Sequence, residues 1–316
     1  MKNVGVVGIG DMGSGLALNL IKQGFSVAGY DLLSARMDAF VAMGGIACAG
    51  SAEVGRHSEA VFVMVMNGDE AKEVIFGSAS DYRAKAGGLV STLSPGSIIL
   101  LSATIKPIEA EQIADALIGT GVDLIDTPVS GGFPGAQGGT LTLMAAGSTQ
   151  VLERATTVME AVSQSIHHVG VTPGMGQTVK ACLQSLIGSI FSATFEASVL
   201  AAKAGVSGEV LHEVVSTSSA GCVVANTALE NIIERRFENT GSHIRTMYKD
   251  LTISMDVARE QGVPLFTAAV AMQLFQAGIT KYPEGDNWSV TRISEDIVNA
   301  RLATTAKAVI TGPETS

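Results

Sequence analysis

The sequence predicts an α/β protein in which a doubly wound parallel sheet is followed by an all-α region, and three observations support this. Gly8, Gly10 and Gly13 form a Gly-x-Gly-x-x-Gly pattern directly after a short apolar run. Strand-like apolar runs then alternate with helical patterns as far as about residue 170. Beyond that point the strand signals cease, and apolar residues recur with helical periodicity from a long stretch over 178–204 onwards.

The first strand, turn and helix predict a site for a dinucleotide. Residues 4–7 are the expected strand and 16–23 the expected helix. Glycines between them permit a tight turn and a close approach of the backbone to a pyrophosphate, whose charge the helix N-terminus favours. This is the arrangement of a Rossmann domain. It assigns cofactor contacts to six consecutive residues: Gly8, Ile9, Gly10, Asp11, Met12 and Gly13.

The remaining elements follow in order along the chain. Further strands are predicted over 26–31, 60–65, 97–101, 123–126 and 141–146. Helices are predicted over 178–204, 207–216, 225–234, 244–260 and 265–277. We therefore expect a dinucleotide-binding Rossmann domain over 1–170, an all-helical substrate and oligomerisation domain over 171–310, joined to it by the long helix, and a disordered tail over 311–316.

Asp31 ends the second predicted strand, roughly twenty residues after the first glycine. An acidic side chain at this point accepts hydrogen bonds from an adenosine ribose. A 2′-phosphate there would meet a like charge, and the nearby cation, Arg36, lies a helical turn further on. Asp31 therefore predicts that NAD is the cofactor and that NADP binds less well. A role for Asp31 as the cap of the next helix stays open.

Bulk composition excludes several classes of function. The 316 residues carry a net charge of −10, which disfavours nucleic acid as a partner. A first strand at residue 4 leaves no room for a signal peptide, and polar residues interrupt the most apolar long stretch, 181–202, so we expect a soluble cytoplasmic protein without membrane association. The 3 cysteines and 5 histidines lack metal-ligand spacing, so no metal site is expected. A hydrophobic fraction of 47% predicts a homodimer or homotetramer.

Five short motifs in this order resemble those of the β-hydroxyacid dehydrogenase family, which is typified by 3-hydroxyisobutyrate dehydrogenase and tartronate semialdehyde reductase. They are Gly-Ile-Gly-Asp-Met-Gly over 8–13, Asp-Thr-Pro-Val-Ser-Gly-Gly over 126–132, Gly-Ala-Gln-Gly-Gly-Thr-Leu-Thr over 135–142, Gly-Gln-Thr-Val-Lys over 176–180 and Lys-Asp-Leu over 249–251. The resemblance spans nearly the whole chain and implies a Rossmann domain followed by a helical domain.

The resemblance also implies roles in catalysis. Ser130, Gly131 and Gly132 would bind the substrate carboxylate, for which successive backbone amides and a hydroxyl are suited. Lys180 would accept the substrate hydroxyl proton as a hydride leaves for the nicotinamide, or return that proton in reduction. Its place early in a helix, in a partly apolar surround, favours the neutral amine that a base requires. Without the resemblance, these residues would be interpreted as a glycine-rich turn and a solvent-facing lysine.

Gln184 departs from the family pattern, which commonly has asparagine at this position. It lies four residues after Lys180 and on the same helical face. Glutamine keeps the amide donor and acceptor but extends them by one methylene, so it could still bind a substrate hydroxyl or carboxylate. The branch that resembles threonate dehydrogenases shares this glutamine, which favours a polyhydroxy acid such as a threonate or glycerate. The alternative is that Gln184 compensates for a smaller neighbour.

Four further cofactor contacts are implied by position. Val65 and Met66 replace the family's Leu-Pro, and Thr104 lies in a segment that matches Ser-Thr-Ile-Ser-Pro near the nicotinamide half. Met66 lacks the rigidity of proline, and Ala103 lacks the serine hydroxyl. Lys249 would reach the cofactor from the helical domain, unless it is an ordinary surface lysine.

The sequence thus predicts an oxidoreductase that transfers a hydride between NAD and the alcohol carbon of a small 3-hydroxy acid, with a small carboxylate as its partner. Two alternatives come from other classes. A non-catalytic NAD-binding module would lack the proton-transferring lysine, so Lys180 argues against it. An imine reductase has a similar two-domain plan but generally carries a different residue at that position.

Overall fold

The computed structural model describes residues 1–77 and 87–302, and within them nine strands form one sheet. The strands are β1 (Asn3–Val7), β2 (Ser26–Tyr30), β3 (Ile46–Ala47), β4 (Ala60–Val63), β5 (Ile98–Leu101), β6 (Asp123–Asp126), β7 (Val129–Ser130), β8 (Leu141–Ala146) and β9 (Ser163–Gly170). Between them lie the helices α1 (Asp11–Lys22), α2 (Ser34–Ala42), α3 (Ser51–Arg56), α4 (Gly68–Phe76), α5 (Pro107–Leu117), α6 (Gly132–Gly138) and α7 (Thr149–Glu160).

The sheet is dominated by parallel pairing, which confirms the predicted fold class. Its order begins β3-β2-β1-β4-β5-β6, and each neighbouring pair in that series is parallel. β8 departs from the expected parallel run, because it pairs antiparallel with β6 and β7 and parallel with β9. Only the short helix α6 separates β7 from β8, and a connection of this length is too short for a parallel crossover.

Both faces of the sheet are buried, as the unbroken apolar strands predicted. In β5 the alternate residues Ile98 and Leu100 pack into one hydrophobic cluster, and Ile99 and Leu101 pack into another. All four side chains are 0% exposed. Because successive side chains of a strand point to opposite faces, this pattern requires helices on both sides of the sheet.

The strands missed by the sequence analysis have identifiable reasons. β3 and β7 have two residues each, which is too short to show periodicity. β9 has the sequence Ser-Gln-Ser-Ile-His-His-Val-Gly and is partly exposed along its length, so it lacks the apolar run used to find the others. The histidine pair His167 and His168 lies in this strand.

The chain divides between Lys180 and Ala181 into two compact units, and the second unit is helical throughout its described part. The predicted long helix is α8 (Met175–Lys203), within which the division lies. It is followed by α9 (Gly208–Thr217), α10 (Val223–Ile233), α11 (Ile244–Glu260), α12 (Phe266–Lys281) and α13 (Thr291–Val298). The boundary predicted after residue 170 stays a prediction, and the predicted tail over 311–316 lies outside the described residues.

An aromatic cluster forms the centre of the second unit. The Phe191 ring centroid lies 5.8 Å from that of Phe195 in a stacked pair and 5.8 Å from that of Trp288 in an edge-on pair. Phe275 completes the cluster at 6.4 Å from Phe195. These side chains are buried, and such pairs add to the stabilisation from apolar burial.

By length and composition alone, α8 could cross a membrane. However, 44% of its most apolar 18-residue stretch is buried inside the structure. The core helices of soluble proteins can have the same length and apolar composition.

Candidate functional site

The glycine-rich turn after β1 has a backbone path that only glycine can follow. Gly8 has a φ of +89°, and a Cβ atom built there would lie 2.2 Å from the Met64 carbonyl oxygen. A Cβ atom at Gly13 would lie 1.8 Å from the Gly8 carbonyl oxygen. The turn ends at Asp11, where α1 begins. These close approaches fit the cradle that a dinucleotide pyrophosphate requires.

Asp31 links this turn to the next helix. Its Oδ2 atom accepts a hydrogen bond from the Ile9 N–H at 2.8 Å, and its Oδ1 atom accepts one from the Leu33 N–H at 2.9 Å. The Arg36 guanidinium lies 3.3 Å from Oδ2 and also within 3.7 Å of the point where a Gly10 Cβ would be. Arg36 is therefore ion-paired with the acidic side chain. The N-cap residue of α2 is Leu33, so Asp31 does not occupy that position.

Three predicted cofactor segments follow adjacent parallel strands at the same edge of the sheet. Gly8 follows β1, Val65 and Met66 follow β4, and Thr104 follows β5, and these strands are neighbours in the order β1-β4-β5. The carboxyl ends of parallel strands are the usual place for a bound dinucleotide. Met66 is 52% exposed, and its N–H donates to the Glu70 carboxylate at 3.0 Å. This hydrogen bond restrains the backbone at a position where the family has a proline.

A buried network joins the start of α8 to the ends of β5 and β6. The Oδ2 atom of Asp126 accepts the N–H groups of Gly174 at 2.8 Å and Gln177 at 3.2 Å. The Gln177 amide donates to Asp126 Oδ1 at 2.8 Å and to the Ala103 carbonyl oxygen at 3.1 Å, and it accepts the Ile105 N–H at 3.1 Å. Asp126 and Gln177 were not assigned roles from the sequence, although both lie inside motifs that it singled out.

Burial raises the pKa of the Asp126 carboxyl from 3.8 to about 6. Hydrogen bonds from Gln177, Gly174 and Gly176 act in the opposite direction, because they favour the charged form. The side chain is 0% exposed, which makes the loss of hydration the larger effect.

Lys180 lies on the second turn of α8, and its side chain is buried. Only 7% of the residue is exposed, and its Nζ atom donates to the Val129 carbonyl oxygen at 2.8 Å. Val129 directly precedes Ser130 and the two glycines expected to bind a carboxylate. Gly131 and Gly132 have φ angles of +130° and +59°, which L side chains rarely adopt. The predicted amine and the predicted anion-binding segment are therefore neighbours.

Gln184 and Lys249 belong to the second unit and meet at Asp250. The Gln184 Nε2 atom donates to Asp250 Oδ2 at 2.6 Å, and Lys249 Nζ lies 2.9 Å from Oδ1. Gln184 is 7% exposed and Asp250 is 3% exposed. A carboxylate cannot donate, so it fixes the amide with its NH₂ group towards Asp250 and its carbonyl oxygen away from it. No sequence signal assigned this orienting role to Asp250.

The structure shows no group of three or more His, Cys, Asp or Glu side chains arranged to hold a metal ion within residues 1–77 and 87–302. The polar groups of the candidate site are backbone amides, amide and carboxylate side chains, the Ser130 hydroxyl and the amines of Lys180 and Lys249.

Two family models match the chain in succession. Residues 3–170 match the NAD binding domain of 6-phosphogluconate dehydrogenase, and residues 174–293 match the NAD-binding domain of NADP-dependent 3-hydroxyisobutyrate dehydrogenase. The first match covers more than half of the chain.

Curated relatives extend along almost the whole length. The chain is 33% identical over 299 residues to an L-threonate dehydrogenase from Escherichia coli, covering 93% of this chain and 95% of the relative. It is 32% identical to a 2-(hydroxymethyl)glutarate dehydrogenase from Eubacterium barkeri, with coverage of 87% and 88%. The crystal structure of a 3-hydroxyisobutyrate dehydrogenase from Salmonella typhimurium superposes with a TM-score of 0.83 at 30% identity, covering 92% of this chain and 99% of the other.

Proposed function

The chain belongs to the β-hydroxyacid dehydrogenase family, and from that premise we propose that it transfers a hydride between NAD and the alcohol carbon of a small 3-hydroxy acid, with Lys180 as the general acid and base. That it is an NAD(P)-linked hydroxyacid dehydrogenase follows from the family. The observation that carries the detailed proposal is the buried Lys180 amine, held beside the segment that begins at Ser130.

Oxidation of the alcohol breaks a C–H and an O–H bond. The hydrogen on carbon leaves as a hydride, and the hydrogen on oxygen leaves as a proton. A nicotinamide cofactor held at the turn over residues 8–13 would supply the hydride acceptor. The Lys180 amine accepts the hydroxyl proton and returns it in the reverse direction. Its hydrogen bond to the Val129 carbonyl oxygen at 2.8 Å restricts where the Nζ atom lies, which favours proton transfer with a substrate hydroxyl bound nearby.

The substrate carboxylate is assigned to Ser130, Gly131 and Gly132. A hydroxyl and successive backbone N–H groups suit an anion. The left-handed backbone at both glycines leaves no side chain between those amides and a ligand.

Asp31 is proposed to select NAD over NADP. It directly follows β2, the position from which an acidic side chain accepts hydrogen bonds from the adenosine ribose in Rossmann domains, so a 2′-phosphate there would meet like charge. Arg36 is the cation that could accept such a phosphate, but its guanidinium is paired with Asp31 at 3.3 Å. The other cofactor contacts are assigned to Gly8, Ile9, Gly10, Asp11, Met12, Gly13, Val65, Met66, Thr104 and Lys249.

Gln184 is proposed to recognise a hydroxyl of a polyhydroxy acid. The Gln184 NH₂ group donates to Asp250 Oδ2 at 2.6 Å and to the Met247 sulfur at 3.7 Å, so the carbonyl oxygen is the part of the amide left for a ligand. A carbonyl oxygen accepts from a hydroxyl and repels a carboxylate. This orientation supports substrates of the threonate or glycerate type over 3-hydroxyisobutyrate.

Assays of short hydroxy acids with NAD and with NADP test the proposal. We expect NAD to be the better cofactor, and polyhydroxylated four-carbon acids to have a higher kcat/KM than 3-hydroxyisobutyrate. A preference for 3-hydroxyisobutyrate would refute the role of Gln184, whereas turnover of simple imines but of no hydroxy acid would favour the imine reductase alternative.

We further infer a soluble cytoplasmic homodimer or homotetramer. Large apolar side chains on the helices of the second unit support self-association, since Leu200, Val223 and Phe266 are 71%, 82% and 80% exposed. Sedimentation at micromolar concentration that showed only monomer would contradict this.

A further inference from the structure

A cavity of about 540 Å³ lies within the second unit, away from every residue assigned above. It is formed by the residues after α10, the residue after α12, and α13. Its volume falls in the range of about 300–1,000 Å³ that is usual for small-molecule sites. Its lining holds four arginines, Arg235, Arg236, Arg292 and Arg301, against three carboxylates, which leaves one net positive charge.

Two of the carboxylates are already committed to cations. Glu295 is 2% exposed and forms a two-pronged ion pair with Arg235, one of whose N···O distances is 2.8 Å. Asp296 pairs with Lys281, and this hydrogen bond, together with the nearby charges of Arg301 and Arg292, holds the pKa of its carboxyl below the usual value. The third, Glu238, is exposed at the surface. The Arg235 pair therefore forms a neutral, fixed part of the wall.

Arg292 and Arg301 have no carboxylate within ion-pair distance among residues 1–77 and 87–302. Arg292 is instead held by aromatic rings. Its Cζ atom lies 4.0 Å from the Tyr282 ring centroid and 5.4 Å from that of Phe237. Stacking of this kind fixes the plane of a guanidinium and leaves its N–H edge available for an acceptor.

We propose that this cavity binds a small organic or inorganic dianion, whose oxygens pair with Arg292 and Arg301. Two guanidinium groups that form no ion pair, and that share only the longer-range attraction of the Lys281-paired Asp296, can each contact an oxyanion, and a guanidinium presents parallel N–H groups to phosphate or carboxylate oxygens. The stacking of Arg292 lowers the entropy lost on binding, because the side chain is already ordered. The shared ligand chemistry is a pair of oxyanion charges, supplied either by a phosphate group or by a dicarboxylate.

Calorimetric titration of the full chain with inorganic phosphate and, separately, with succinate tests the proposal and distinguishes the two ligand types. Saturating NAD is present throughout, so that the dinucleotide turn does not contribute. We expect at least one of the two dianions to bind with an affinity that is at least tenfold lower for Arg292→Gln. Binding that this substitution leaves unchanged would place the anion elsewhere, such as at the segment that begins at Ser130, and would overturn the proposal. Arg301→Gln is the second variant and should act in the same direction.

Arg259→Gln is the matched control, because Arg259 is an exposed arginine that pairs with Asp256 on α11, outside the cavity. It removes the same charge and should leave the affinity within twofold. Binding of neither dianion to the wild-type chain, or equal weakening by Arg259→Gln and Arg292→Gln, would overturn the proposal, the latter by showing that net charge alone attracts the anion.

Discussion

Replacement of Asp126 by Asn should change how stability depends on pH. In the folded protein burial raises the pKa of this carboxyl from 3.8 to about 6. The two values differ by about two, and each pKa unit corresponds to about 1.4 kcal/mol, so the protonated form of Asp126 contributes about 3 kcal/mol to folding. Because the folded pKa is raised, that contribution is fully present below about pH 4 and is lost as the pH rises through about 6.

Urea denaturation of the wild type and of Asp126→Asn between pH 4 and pH 7.5 measures this effect. Asparagine does not titrate, so any constant cost of the substitution cancels when the difference in unfolding free energy is followed against pH. We expect the wild type to lose about 3 kcal/mol relative to the variant across this range. Asp123→Asn, at the other end of β6 and paired with Arg154, controls for the loss of one negative charge.

Two results would refute this reasoning. A difference that stays constant with pH would mean that the Asp126 carboxyl titrates alike in the folded and unfolded states. A wild type that gains stability relative to the variant as the pH rises would mean that the N–H donors of Gly174 and Gln177 outweigh burial and hold the carboxylate in its charged form.

Three further predictions concern the proposed catalytic and binding residues. Lys180→Ala should lower kcat by about a hundredfold or more while the NAD Kd changes only a few fold, and near-normal turnover of a folded variant would exclude the proposed proton transfer. Asp31→Ser should weaken NAD binding and improve NADP binding, since it also releases Arg36, and an unchanged ratio of the two Kd values would remove Asp31 from the cofactor site. Gln184→Leu should lower kcat/KM for a threonate-like acid roughly tenfold, as expected for a lost hydrogen bond of about 0.5–1.5 kcal/mol. It should lower kcat/KM less for 3-hydroxyisobutyrate, and equal losses would mean that Gln184 does not bind the additional hydroxyls.

The elements that the sequence predicted well are those whose signal is local. The predicted strands over 123–126 and 141–146 and the predicted helix over 244–260 coincide with β6, β8 and α11, because apolar periodicity within a few turns or residues defines each of them. α13 was missed. It has only eight residues, and the side chains that it buries are the polar ones of Thr291 and Glu295, so a search for apolar residues facing a core does not find it.

The site divides in the same way. The turn at Gly8 and the acidic residue after β2 have fixed local spacing, so sequence alone could predict them as cofactor contacts. The network of Asp126 and Gln177 joins residues that are 48 to 74 positions apart, and no local pattern encodes such pairings. A carboxylate at the end of a buried strand was the one available signal, since such a group must find donors when it is buried.

Gln184 shows how a tertiary partner changes a chemical interpretation. From the sequence, its amide has both donor and acceptor groups for a substrate, so a hydroxyl and a carboxylate are equally acceptable ligands. The Asp250 carboxylate, 66 positions later in the chain, accepts from the amide nitrogen at 2.6 Å and is itself paired with Lys249 at 2.9 Å, and the Met247 sulfur accepts from the same nitrogen at 3.7 Å. What remains is a carbonyl oxygen, which favours a hydroxyl and disfavours a second carboxylate. The proposed preference for polyhydroxy acids therefore depends on the partner as much as on the glutamine. Asp250→Asn, which can accept or donate towards Gln184, should weaken that preference even though Gln184 itself is retained, and an unchanged ratio of kcat/KM between the threonate-like acid and 3-hydroxyisobutyrate would contradict the orienting role of Asp250.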